Sequence, residues 1–420
     1  MTAKSTWALR RQPALLKLAA GQGISAFGSQ ITLLALPLTA VVALGASPIE
    51  MGILGAAQLS PFLLLGLFVG AWVDRTRRRP IVIAADLGRA LLPASIPLAM
   101  LLGAGSVAYL CVVAFLTSCL SVLAGTAYQS YLPSLVPRER LVEANGSLEA
   151  SRSFARVAGP SLGGGLVQLV TAPLAILFDA LSFLASALLL WSIRTPEPAP
   201  TPRPHNASLR GEIAEGLCRV LSNQILRTVA IGTAIGAFFD SILVAVFMLH
   251  LTHELALQPT TIGILFATGG GGAVLGASLV GRITKRLDLG NTIALAAVAL
   301  GLGYAAIPLA AALPTASVAL LLLAAGLTGF GGTLYNVSLL SLRQGAAPDH
   351  LLGRVNGTMQ FLVWGAMPIG ALLGGTLAGL VGLRETVTIV ALGVQVAVAW
   401  ILLSPIRTVR EPAPHLHAAH

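Results

Sequence analysis

Seven charged side chains stand well inside long apolar runs of this chain: Asp86, Arg89, Glu149, Arg152, Arg156, Asp179 and Asp240. A charge in such a run is costly, and is usually paired or functional. Asp240 lies mid-run in Ala237-Phe238-Phe239-Asp240-Ser241-Ile242, with no Lys or Arg within a helical turn. Low dielectric disfavours the charged carboxylate, so this acid can load and release a proton. The other reading is a structural acid hydrogen-bonded to a neighbouring helix. Asp86 and Arg89 are three residues apart and can pair along a helix. Glu149, Arg152 and Arg156 follow at spacings of three and four, which puts them on one helix face. These five read as one inner charge network closing a cytoplasmic gate, against snorkelling to the headgroups for Asp86 and Glu149. Asp179 sits toward the outer end of its run and reads as structural.

Enzyme chemistry finds little support. Gly159-Pro160-Ser161-Leu162-Gly163 matches Gly-x-Ser-x-Gly, but that motif needs a strand-turn-helix and a partner histidine. His253-Glu254 lacks the second histidine of a zinc-protease motif, since position 257 is Leu. His415, His417 and His420 lie in a tail and read as incidental composition. Cys111, Cys119 and Cys218 are scattered and odd in number, so they give neither a disulfide framework nor a metal spacing. No glycine-rich phosphate loop is present. We expect no catalytic residues, no cofactor and no metal.

The elements that must carry these residues are membrane spans. Hydrophobic residues make up 55% of the chain and charged residues 10%, and the mean hydropathy is +0.84. A soluble domain is about 25% charged, so this chain lacks the polar surface to cover a soluble core. A span needs about 20 apolar residues. Breaks at Gly, Pro and charge clusters give twelve spans: 18–44, 50–73, 81–103, 106–128, 144–170, 173–193, 228–250, 259–281, 291–312, 315–340, 355–381 and 386–403. The formal charge of +10 does not indicate nucleic acid, because the basic residues fall in short breaks between apolar runs. With the N-terminus inside and the spans alternating, 22 of the 26 Lys and Arg fall on the cytoplasmic side, and only Arg384 falls in an outer loop. That asymmetry predicts twelve crossings with both termini cytoplasmic, and the membrane expected is the plasma membrane.

The chain repeats itself. Gly70-Ala71-Trp72-Val73-Asp74-Arg75-Thr76-Arg77-Arg78-Arg79-Pro80 is a short cationic hinge between two apolar runs. At an offset of 211 stands Gly281-Arg282-Ile283-Thr284-Lys285-Arg286. The same offset pairs Pro137 with Pro348, Asn145-Gly146 with Asn356-Gly357, and Gly163-Gly164 with Gly374-Gly375. Duplicated halves of this kind are a transporter signature. The polar stretch 194–227 divides them: it opens Pro-rich and stiff, and 208–219 could form an amphipathic helix on the inner membrane surface. We therefore expect bundles at 1–193 and 228–420 joined by 194–227. Glycines spaced by four, such as Gly66/Gly70, Gly159/Gly163 and Gly370/Gly374, predict close helix packing.

On these motifs the chain resembles the major facilitator superfamily. Gly70, Asp74, Arg75, Arg78 or Arg79, and Pro80 are similar to its loop 2–3 signature. Gly159, Pro160, Gly163 and Gly164 are similar to the motif of its antiporter branches. Tyr131-Leu132-Pro133-Ser134-Leu135-Val136-Pro137 and Phe178-Asp179-Ala180-Leu181-Ser182-Phe183 resemble the subgroup of enterobactin-type siderophore exporters and macrolide efflux pumps. The resemblance implies an all-α fold of twelve helices in two six-helix domains. It implies a monomer in the bilayer that uses protons to export an amphipathic small molecule by alternating access. It implies that span seven faces a central cavity; the candidate cavity residues are Asp240, Gln30, Tyr128, Tyr335 and Asn336. Gly70, Asp74, Arg75, Arg78 and Arg79 become gate residues beside Asp86, Arg89, Glu149, Arg152 and Arg156. The superfamily's frequent span-four arginine is absent, and Arg89 in span three is the substitute. A siderophore or lysophospholipid transporter is the rival within the fold; a polytopic membrane enzyme or scaffold is the rival outside it.

Overall fold

A computed structural model describes residues 13–73, 76–135, 141–193, 217–218, 220–346 and 352–408. Asp74 and Arg75 of the hinge, Pro137, Pro348, and nearly all of the expected amphipathic segment 208–219 lie outside them. The described residues form helices and no strands. In chain order these are α1 Pro13–Leu38, α2 Pro48–Val73, α3 Arg78–Leu101, α4 Val107–Leu135, α5 Leu141–Val170 and α6 Ala172–Trp191, then α7 Gln224–Leu249. A single rod, Pro259–Ala312, comes next, followed by α10 Ser317–Ala346, α11 Leu352–Val381 and α12 Leu383–Leu402.

The rod Pro259–Ala312 is 54 residues long. A straight helix of that length would measure about 80 Å, far beyond the ~30 Å of a bilayer core. Asp288 breaks it, with φ 62° and ψ 166°. The arms are α8 (259–287) and α9 (289–312). The repeated cationic hinge is therefore not a loop in the second half. Gly281 to Arg286 continue α8 as helix, and the chain turns only at Asp288. Lys and Arg are good helix formers, and no proline interrupts this stretch. In the first half Arg77 is extended and Arg78 already opens α3.

Ten of these elements, the rod counted once, are long and apolar enough to cross a membrane. Large apolar side chains point outward: Leu169 and Leu380 are 84% and 79% exposed. Such surface suits lipid, which is as apolar as the side chains themselves.

The chain forms two compact units, Met1–Arg203 with Leu257–Ala267, and Pro204–Ala256 with Thr268–His420. In the first, α1 packs on α5 and α6, α3 on α4 and α6, and α2 on α4. The start of α8 belongs to this unit. A methyl group on Gly263 would lie 3.1 Å from Gly164 Cα, and Thr260 donates to Gln168. In the second unit α7 packs on α11 and α12.

The internal geometry repeats at 211. α1, α5 and α6 shifted by 211 land on α7, α11 and α12 at both ends. α1 and α7 each run into a π-helical turn, Thr39–Ala43 and His250–Glu254. Thr171 (φ 90°) and Gly382 (φ 101°) make the same left-handed turn before α6 and α12. The contacts repeat as well. A methyl on Gly163 would stand 3.2 Å from Ile31 Cα, and one on Gly374 would stand 2.9 Å from Ile242 Cα. Gly159 faces Gln30 and Phe27, and Gly370 faces Ser241 and Phe238. Small residues let these backbones close in. Gly66, expected to do the same, has nothing within 4 Å of the place a methyl group would take.

Candidate functional site

Two tyrosine hydroxyls of the second unit meet polar side chains of α7. Asp240 is half-buried and accepts a hydrogen bond from the Tyr304 hydroxyl of α9. No cation pairs with it among the described residues. Nearer the start of α7, Thr233 and the Tyr335 hydroxyl of α10 stand 3.4 Å apart. Phe238 and Phe239 meet edge to face at 5.4 Å, and Phe239 packs onto Gly393 of α12. The acid thus sits in an aromatic and apolar setting with one neutral donor. Low dielectric strengthens that hydrogen bond and raises the cost of an uncompensated charge.

Tyr304 was not legible as its partner. It stands in Gly301-Leu302-Gly303-Tyr304, in an apolar run 64 residues from Asp240. Its polarity was the only signal.

In the first unit the expected charge network resolves into two groups. Asp86, fully buried, pairs with Arg89 and accepts from Ser186 of α6 at 2.7 Å. Arg89 also lies over the Phe183 ring at 4.3 Å, a cation–π contact. Asp86 therefore does not snorkel; its partners are on α3 and α6. The second group lies on α5. Glu149 pairs with Arg156 and sits 3.9 Å from Arg152, and all three side chains are 40–55% exposed. No ion pair joins the two groups among the described residues, so the single network expected from the sequence is two separate groups. Exposed pairs of the α5 kind contribute about 0–1 kcal/mol.

The basic residues at the start of α3 act partly within their own unit. Arg79 donates to the carbonyls of Leu190 and Trp191, and Lys17 donates to that of Ser192, 3.0 Å away. Two cations thereby meet the carbonyl end of α6, where the helix dipole favours positive charge. Asp74 and Arg75 lie outside the described residues, and Gly70 is helical, near the end of α2.

The cavity candidates divide between the units. Gln30 of α1 packs against Gly159, and Tyr128 of α4 is buried with Arg152 5.8 Å from its ring. Asp240, Tyr335 and Asn336 belong to the second unit. Asn336 is exposed and donates to Gly332 O of its own helix at 2.8 Å. Pro160, Gly163 and Gly164 form the packed side of α5, with Gly163 against α1. No group of three or more His, Cys, Asp or Glu that could hold a metal occurs among the described residues.

The sequence profile of the Major Facilitator Superfamily matches residues 18–367 and 229–419. The chain is 30% identical to the multidrug efflux pump Tap of Mycolicibacterium fortuitum, over 90% of this chain and 92% of that one. It is 27% identical to the MFS-type transporter YfiS of Bacillus subtilis, over 89% and 88%. Among solved structures it resembles a bacterial homologue of the iron transporter ferroportin in an inward-facing state. The TM-score is 0.73 at 18% identity, covering 93% of this chain and 98% of that one. The nucleoside transporter NupG is matched at TM-score 0.71 and 13% identity, covering 93% and 98%. At those identities the two structures speak for the fold alone.

Proposed function

The chain belongs to the Major Facilitator Superfamily, and on that premise we propose that it is a proton-coupled antiporter exporting amphipathic small molecules by alternating access. It is a multi-pass membrane transporter and not an enzyme. The export direction and the drug-like substrate class are supported by the relatives named multidrug efflux pumps.

The observation that carries proton coupling is Asp240, midway along α7, held by the Tyr304 hydroxyl and by no described cation. An antiporter needs a group whose charged and neutral forms are close in free energy at working pH. A carboxyl in low dielectric with one neutral donor can bind and release a proton. A carboxylate locked to an arginine would not.

In this reading, bundles 1–193 and 228–420 alternate about the linker 194–227. Gln30 and Asn336 face the substrate, whereas Tyr128 and Tyr335, expected to do so, are buried within their own units. Gly70, Asp74, Arg75, Arg78 and Arg79 latch the inner side, with Gly159, Pro160, Gly163 and Gly164 setting helix packing. The protein works as a monomer in the plasma membrane with both termini in the cytoplasm. The test is reconstitution into vesicles loaded with a fluorescent lipophilic cation. Dye movement should accelerate when a pH gradient is imposed and collapse with a protonophore. Movement indifferent to the gradient overturns the coupling.

A further inference from the structure

A second acid, in the first unit, is in a setting that the charge pairs do not explain. Asp179 of α6 is 2% exposed. No cation pairs with it among the described residues. Its Oδ1 lies 3.4 Å from the Ser29 hydroxyl of α1 and 3.4 Å from the Ser182 hydroxyl. A hydroxyl donating to a carboxylate closes to about 2.5–2.7 Å. Ser182 instead gives its short bond, 2.7 Å, to the Asp179 backbone carbonyl. The donors at hand are not drawn in as a buried negative charge would draw them. Neither serine hydroxyl closes on Asp179 as it would on a tightly held carboxylate.

Two further buried donors of this unit lack a well-formed hydrogen bond. Thr32 Oγ1 of α1 is near enough to act on Asp179, yet it is buried without a well-formed hydrogen bond. Arg89 Nε is likewise buried without a partner among the described residues. That guanidinium is held by Asp86 and lies over Phe183. Phe183 is one turn beyond Asp179 on α6. The facing groups are thus Ser29 and Thr32 from α1, Arg89 and behind it Asp86 from α3, and Ser182 from α6 itself. With Asp179 neutral, the Asp86–Arg89 pair balances to zero charge. With Asp179 ionised, a surplus negative charge stands in a dry site, which is expensive unless a donor turns to it.

We propose that Asp179 is a proton-binding site of the first unit, with Arg89 the switch shared between it and Asp86. When the proton is on, Arg89 rests on Asp86. When the carboxyl O–H breaks, the proton passes to water and the electron pair stays on Asp179. Arg89 Nε and the Thr32 hydroxyl then turn to the new carboxylate. Ser186 keeps the other Asp86 oxygen satisfied in both states. The site is not inherited from the duplication: the positions 211 residues on hold Ala297, Leu300 and Val390 in place of Asp86, Arg89 and Asp179. Its role in transport rests on the proton-coupled reading above; the binding of the proton itself does not.

The test uses the purified full chain and dicyclohexylcarbodiimide, which modifies protonated carboxyls in apolar surroundings. Peptide mapping should place an adduct on Asp179, falling about tenfold per pH unit once the site titrates. Asp179→Asn should lose that adduct and keep the wild-type melting temperature, because an amide replaces a neutral carboxyl. Arg89→Lys, which keeps the charge, should fold and move the pH at which labelling falls. No Asp179 adduct between about pH 5 and about pH 9 overturns the proposal. So does suppression of the adduct by sodium at fixed pH, which would mark a metal-cation site. A collapse in the melting temperature of Asp179→Asn equally refutes a neutral acid. Gradient-driven dye efflux from the same preparation reports separately: labelling intact with efflux blind to pH retires the transport reading alone.

Discussion

Removing the Tyr304 hydroxyl isolates what that donor does for Asp240. In Tyr304→Phe the ring remains and the single described hydrogen bond to the acid goes. A hydrogen bond to a charged group contributes about 1.5–3 kcal/mol, and one between neutral groups about 0.5–1.5 kcal/mol. The ionised form of Asp240 therefore loses about 1–1.5 kcal/mol more than the protonated form. Since 1.36 kcal/mol corresponds to one pH unit, the acid should keep its proton to a pH about one unit higher. In an exporter that releases protons inward, the internal pH for half-maximal efflux should rise by the same amount. Asp240→Asn is the companion. Its amide oxygen still accepts from Tyr304, so the packing survives, but nothing titrates. Gradient-driven efflux should fall to the rate without a gradient, while dye binding and downhill movement persist. The assay is dye efflux from proteoliposomes over a series of internal pH values. A Tyr304→Phe profile superimposable on wild type, or undiminished gradient-driven efflux in Asp240→Asn, would show that this pair does not carry the proton.

Packing and backbone give two further tests. A methyl at Gly374 would meet Ile242 O at 2.6 Å, so Gly374→Ala should cost about 1–3 kcal/mol; Gly165→Ala, with open space around it, should be neutral or stabilising by up to about 1 kcal/mol. Thermal melting of the detergent-solubilised variants ranks them, and equal loss in both would remove the contact argument. Asp288 holds φ 62° and ψ 166°, a region that costs about 1–3 kcal/mol for residues other than glycine. Asp288→Gly should therefore raise the melting temperature, and a fall would mean that the aspartate side chain contributes more than its backbone strain costs.

The helix plan was legible because it follows from one physical demand, about 20 apolar residues per crossing. The repeat was legible because packing preserves it: Gly163 and Gly374 must stay small where α5 meets α1 and α11 meets α7. The hinge was legible only in part. The run Gly281 to Arg286 suggested a loop, but basic side chains at the end of a span sit as well on a helix turn that has left the apolar layer. The chain then turns at Asp288, beside Gly290, whose backbone lies against Arg407. The polar partners were least legible. Asp86 with Arg89 follows from a spacing of three, whereas Asp86 with Ser186 and Asp240 with Tyr304 join helices 100 and 64 residues apart. Nothing local in a sequence records which helices become neighbours.

The two units keep the same frame and exchange the chemistry hung on it. Gly28 of α1 lies against Ser182 of α6; one repeat on, Phe239 of α7 lies against Gly393 of α12. The small residue has changed sides, so each interface keeps one glycine where the two helices close in. Position 29 and its repeat, position 240, make the parallel exchange in polarity. Ser29 offers a hydroxyl toward an acid on α6, whereas Asp240 is itself the acid and takes a hydroxyl from α9. Donor and acceptor have traded places on one register of the helix. A repeat that conserved charge as strictly as packing would give both units identical acids. Here each unit instead has a buried or half-buried acid with a different set of donors, hydroxyls and a nearby arginine in one and a tyrosine in the other.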